Sequence, residues 1–375
     1  MPRTPAPPYA RRRITALLSV VLVLALAGLA AVLLSSNSGH GNQAAGGQTQ
    51  QGASSRTGKA ASSQPHSARH PQPTLSPLLA HVPAGRWVTL PAAPHARGEV
   101  SAALVGSSIY VVGGFDTTGH TTGLVERLNL RSGHWSTSRP LPQPLNHMNA
   151  IGYGGSLYVI GGYSQPSDTS AGAVANFWRF DPATGRWTAM PAAPQPRAAA
   201  GAAVLGHRLY VAGGRSDTQT TISTLAIFDF DTGRWSLGPP LHHAREHVAG
   251  VAGGDAVWIL GGRAVGLGNF ADVERYRPGA ASWQRLPAMP VARSGFQAVN
   301  AGGRIVVVGG EGPAGTIGEV DELNPETGRW SHLAELPTAR HGLGLVADGR
   351  FVFAIEGGPQ PGLTTSSVVQ LLRVS

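Results

Sequence analysis

The chain has 375 residues, a formal charge of +9, 51 glycines, 29 prolines and no cysteine. The lack of cysteine excludes disulfides, thiolate metal centres and a cysteine nucleophile, and 42 % apolar content with eight tryptophans excludes a wholly unfolded chain. Seven basic and no acidic side chains fall in residues 1–85, so residues 86–375 carry a net of only +2 and present no nucleic-acid-binding stripe.

Residues 1–13 form a basic tail ending in Arg11-Arg12-Arg13. Residues 14–34 follow without a charge, interrupted only by Thr15 and Ser19. As a helix they span about 31 Å, enough for a bilayer core. The segment from Ser35 to Gln51 has no Lys or Arg, so the positive-inside rule puts the N-terminus in the cytoplasm and the rest outside. A cleaved signal peptide with Ala25-Leu26-Ala27 as its processing site is the competing reading, and it leaves the chain secreted. Residues 35–85 are rich in Gly, Ser, Gln and Pro. They bury too little to offset chain entropy, and are expected to be a disordered linker reaching roughly 40 Å.

From residue 86 onward a repeat takes over. Gly-Gly doublets end apolar runs at 113, 161, 213, 261, 309 and 357, in steps of 48, 52, 48, 48 and 48. Trp87, Trp135, Trp187, Trp235, Trp283 and Trp330 precede those doublets by 26 residues, the last by 27. Runs of period two, broken by turns such as Asp181-Pro182-Ala183-Thr184-Gly185, predict four antiparallel strands per unit. The sixth unit differs, because Glu356 stands directly before its doublet. A bulge turning Glu356 inward and a simple one-residue insertion are both open here.

A strand ending in Gly-Gly, an aromatic three residues before it (Tyr110, Tyr158, Tyr210, Trp258), a later Trp and an Arg after a Pro-rich turn resemble the kelch repeat. The resemblance covers residues 86–375 and implies an all-β, six-bladed β-propeller. Its ends are out of phase: residues 86–90 read as a lone fourth strand and the chain stops after a third. Residues 86–90 are therefore expected to pair inside the last blade and close the ring.

Residues after the Pro-rich turns and after the doublets are expected to share one rim. Arg97, Glu99, His147, Arg245, Glu246, His247, Arg293, Arg340 and His341 are the ligand-binding candidates there. Arg197 repeats the arginine position, Leu145 replaces it in blade two, and Arg263 and Glu311 lie on the loops after the doublets. The repeating arginines suit either anion binding or bonds that brace the blades. Glu99, Glu246, His247 and Glu356 are the candidates for acid–base work. The run His242-His243-Ala244-Arg245-Glu246-His247 lacks the helical order of zinc proteases, and no metal or cofactor is implied.

Beside a purely structural platform with no small ligand, two functions remain open. One is a membrane-tethered, extracytoplasmic binding module for a carbohydrate or protein ligand. The other is a sugar mutarotase-like or epimerase-like enzyme, since exported bacterial kelch propellers that look similar include sialic-acid mutarotases. Galactose-oxidase chemistry needs a Tyr–Cys crosslink, which a chain without cysteine cannot form.

Overall fold

The computed structural model describes residues 79–164 and 172–375. They form an all-β propeller of six four-stranded antiparallel sheets. Blade one runs Ser101–Val105, Ser108–Val112, Val125–Asn129, Trp135–Thr137, and the next four blades repeat that order. The innermost strands touch in cyclic order, ending with Gly344–Asp348 of blade six against Ser101–Val105 of blade one.

Burial explains the strand patterns. Ser108–Val112, Ser156–Ile160, Ala256–Leu260 and Phe351–Ile355 are buried at all five positions. Neighbouring blades cover both faces of these second strands, so the sequence there is continuously apolar. Inner strands such as Ser101–Val105 and Ala249–Gly253 alternate buried and half-buried residues, because one face looks into the channel. Outer strands are more exposed, and their tryptophans clamp the blades together. Trp187, Trp235, Trp283 and Trp330 donate Nε1–H to Arg139, Pro191, Pro239 and Pro287 carbonyls, each in the connection from the preceding blade.

Blade six draws its strands from both ends of the propeller sequence. Gly344–Asp348, Phe351–Ile355 and Val369–Arg373 are followed by Trp87–Thr89 as outer strand. The register pairs Trp87 with Leu372 and Thr89 with Gln370. Trp87 donates to the Ala334 carbonyl at 2.8 Å, the same clamp as in blades two to five.

Two expectations need correction. Leu79 and Val82, inside the linker that the composition extends to residue 85, are each 5 % exposed and join the core beneath blades six and one. Gly85 also donates to the Arg373 carbonyl. The second concerns Glu356. No bulge or insertion is present, since Phe351–Ile355 pairs regularly with both neighbours. Glu356 (φ 57°) takes the left-handed conformation that Gly113 (φ 61°) and Gly161 (φ 66°) adopt, and Gly357 (φ 92°) takes that of Gly114 (φ 91°). The true doublet of blade six is Glu356-Gly357. Counted to Glu356, the 26-residue spacing from Trp330 holds in all six blades.

Among the described residues no helix is long and apolar enough to cross a membrane. The expected span at 14–34, the tail 1–13 and the linker through residue 78 lie outside the described residues.

Candidate functional site

The strand-start arginines are not on the rim. Arg97, Arg197, Arg245, Arg293 and Arg340 are 0–1 % exposed. Each reaches back into its own blade, where acceptors at the ends of the second and third strands await it. Arg97 donates to the Gly113 and Leu124 carbonyls; Arg293 to Gly309 and Glu319; Arg340 to Glu356 and Val368. Glu274 completes Arg245 at 2.5 Å, Asp321 completes Arg293 at 2.9 Å, and Gln370 completes Arg340 at 2.9 Å. These acceptors enclose each guanidinium, and burial puts it out of a ligand's reach, although Nε of Arg97, Arg197, Arg245 and Arg293 has no hydrogen-bond partner. Arg97, Arg245, Arg293 and Arg340 are thus corrected from ligand contacts to braces. Only Arg97 crosses a blade boundary, bonding Glu126 at 2.9 Å and Glu356 at 3.0 Å.

Glu356 is also removed from the mouth. Its side chain is fully buried at the seam between blades six and one. Burial, helped by the neighbouring Glu126, pushes its carboxyl up to about 8 against the opposing pull of Arg97.

The mouth is built two residues after each brace position. Glu99, His147, Ala199, His247, Gly295 and Gly342 all adopt left-handed backbone, with φ between 51° and 63°. Backbone N–H donors of His147, Ala199, His247, Gly295 and Gly342 each bond the carbonyl of the preceding member, and Val100 N–H closes the circle on Gly342. This hydrogen-bonded ring fixes the six residues around the axis. Glycine fits such a conformation best, yet three positions hold ionisable side chains. Gly342 is required for a second reason: a Cβ there would lie 2.5 Å from Cδ of Glu99.

The three side chains meet. His147 Nε2 lies 3.2 Å from Glu99 Oε2, and the His147 and His247 rings cross at 4.8 Å and 80°. His341 adds its Nε2 at 3.4 Å from Glu99 Oε1. Arg263, on the loop after the blade-four doublet, donates to His247 Nε2 at 3.2 Å and pairs with Glu246 at 3.2 Å and Glu311 at 2.6 Å. Above them opens a cavity of about 230 Å³, lined in part by Glu99, His147, His247, Arg263, Glu311 and Phe115. Burial pushes the Glu99 carboxyl up, but His147, His341, His247 and Arg263 together reverse this and hold it below the usual range. Glu246 likewise overcomes burial through His247, Arg263 and Arg215, and its carboxyl sits at about 2. It is therefore an anchor for Arg263 and a poor proton donor.

Of the predicted residues, the structure brings together Glu99, His147, Glu246, His247 and His341. His242 and His243 stay apart, facing Glu274 and Asp272. Arg263, Glu311 and Asn146 also belong to the rim expected from the sequence, and Asn146 Oδ1 lies 2.6 Å from His147 Nδ1. Aligning the residue two past each brace arginine would have exposed the ring.

The family model for the KLHDC2/KLHL20/DRC7 Kelch-repeats domain matches residues 84–244 and 203–371. No curated protein matches the chain. The solved structure of YjhT is similar in fold, with a TM-score of 0.65 at 17 % identity, covering 75 % of this chain and 95 % of that one.

Proposed function

The chain belongs to the kelch-repeat family, and on that footing we propose an extracytoplasmic binding module that takes a small polar ligand, a carbohydrate, at the channel mouth. Residues 14–34 are its membrane anchor in this reading, supported by their uncharged length and the preceding arginine triplet. The observation that carries the binding function is the ring itself: ionisable side chains replace glycine at Glu99, His147 and His247, on backbone that disfavours them. About 230 Å³ is below the ~300–1,000 Å³ of drug-sized pockets, so one sugar unit fits better than a protein segment. Carboxylate acceptors and the Arg263 donor suit a polyhydroxylated ligand.

A protein ligand is the second reading. It is favoured by Val265 (76 % exposed) and Leu267 (74 % exposed) on the hairpin that starts at Arg263, and by Leu363 at the cavity edge. Calorimetric titration of the full chain in detergent with neutral sugars, uronic acids and sialic acids separates the two. The carbohydrate reading expects saturable binding by at least one sugar, weakened tenfold or more by Arg263→Ala. Silence with every sugar, together with a protein partner whose capture is lost in Leu267→Asp, would transfer the function to protein binding.

A further inference from the structure

We propose that Glu99, His147 and His247 form a binding site for one first-row divalent metal ion of the zinc class, at the centre of the ring. One potential ligand atom from each lies within 4.8 Å of the other two. Three ligands on a tetrahedral zinc ion stand about 3.4 Å apart, and the His147–Glu99 distance is already 3.2 Å. Small side-chain rotations bring the third ligand in. Two imidazoles and one carboxylate are a donor set that zinc, iron(II) and cobalt(II) favour over magnesium or calcium.

The protonation pattern fits ligation. Arg263 can only donate, so a hydrogen bond to His247 Nε2 requires the tautomer with a lone pair on that nitrogen, the same tautomer that ligation requires. The ring proton then sits on Nδ1, which faces Glu246 at 3.5 Å and lacks a full hydrogen bond. Asn146 Nδ2 donates to Thr121 Oγ1 at 2.7 Å, which turns Asn146 Oδ1 toward His147 Nδ1. That arrangement leaves His147 Nε2 directed at Glu99. His341 approaches the other oxygen of Glu99. Glu99 and His147 are thus steadied from behind by a further residue, as metal-binding carboxylates and histidines are, and Glu246 stands beside His247 Nδ1.

The backbone agrees. The triad takes the first, second and fourth places of the ring with only the Ala199 methyl between the two histidines, Gly295 and Gly342 fill the remaining arc, and the open side faces the cavity. An incoming ion replaces the Arg263–His247 hydrogen bond and the direct His147–Glu99 contact. Arg263 keeps Glu246 and Glu311, and those carboxylates with Glu99 balance the added positive charge. The metal site does not depend on the identity of the sugar or protein ligand.

The test uses the full chain in detergent, stripped with chelator and titrated with cobalt(II) alone, then with zinc(II) in competition. The expected result is one ion per chain, visible d–d absorption, and displacement by zinc. Glu99→Gln and His247→Gln are expected to weaken binding more than tenfold, and His242→Gln/His243→Gln to leave it unchanged. Arg263→Ala is expected to bind cobalt more tightly, because it removes a competing cation, although the same variant loses the sugar. Failure of sugar binding is thus distinguishable from failure of the metal site. No uptake by the wild-type chain, or an unchanged cobalt spectrum in a folded His247→Gln protein, overturns the proposal.

Discussion

Glu356 sets a residue-scale problem: a carboxyl in a glycine conformation, fully buried, with Oε2 unbonded. Its carboxyl is pushed from an ordinary 4.5 to about 8. In the unfolded chain it loses its proton near the ordinary value. Between these two values the folded state holds one proton more, so stability falls as pH rises, by at most ~1.4 kcal/mol per pH unit. Below that window both states are protonated and nothing is lost. Glutamine keeps the contact to Arg97 without a titrating group. Glu356→Gln is expected to match the wild type near pH 5 and to exceed its stability by roughly 1–3 kcal/mol at pH 8.5. Urea unfolding at the two pH values reads this difference. A Gln variant that is less stable at pH 8.5 would mean that the ionised Arg97–Glu356 pair is worth more than its desolvation.

At the scale of the element, the brace arginines differ in what they leave behind. Arg245 holds the buried Glu274 at 2.5 Å, whereas Arg197 bonds carbonyls and Thr224 and meets no carboxylate. Burial lowers Arg197 to about 10. Blade two manages with Leu145 at the same position, itself fully buried. Arg245→Leu is therefore expected to cost about 3–5 kcal/mol, by stranding a carboxylate, and Arg197→Leu about 1–2 kcal/mol. Equal losses in denaturant unfolding would contradict the distinction. The same elements mark how far the sequence can be read. The doublet–tryptophan spacing reveals the blades because the backbone demands glycine and an outer clamp at each turn of the repeat. It misplaces Glu356, because nothing local in a sequence says that a glutamate has entered a left-handed position. It also puts the brace arginines on the rim, because one chain shows where a strand begins but not the carbonyls two strands away. The mouth was half legible: Glu99, His147 and His247 stand out as breaks in the repeat, but their convergence arises only from closing six units into a circle.

The whole molecule depends on how that circle is joined. Five seams form between consecutive blades, and the sixth unites residues far apart in sequence, with Gly344–Asp348 beside Ser101–Val105. There the chain adds two contacts, the Trp87–Thr89 strand on Val369–Arg373 and Arg97 spanning Glu126 and Glu356, while the Trp87 clamp to Ala334 ties blade six to the connection from blade five. Leu79 and Val82 extend the lock into the core. Without residues 79–90, Val369–Arg373 becomes an open edge whose N–H and C=O groups lose their partners. Seam and mouth are linked, because the last hydrogen bond of the axial ring, Val100 N–H to the Gly342 carbonyl, crosses this boundary. Internal deletion of 79–90 from the full chain is therefore expected to lower the melting temperature by more than 10 °C. It should also speed amide exchange first in Val369–Arg373 and at Val100, ahead of the blade-three strands. Exchange that rises evenly through all six blades would mean that the seam is no weaker than the others. An unchanged melting temperature would show that the inner strands hold the circle without the terminal strand.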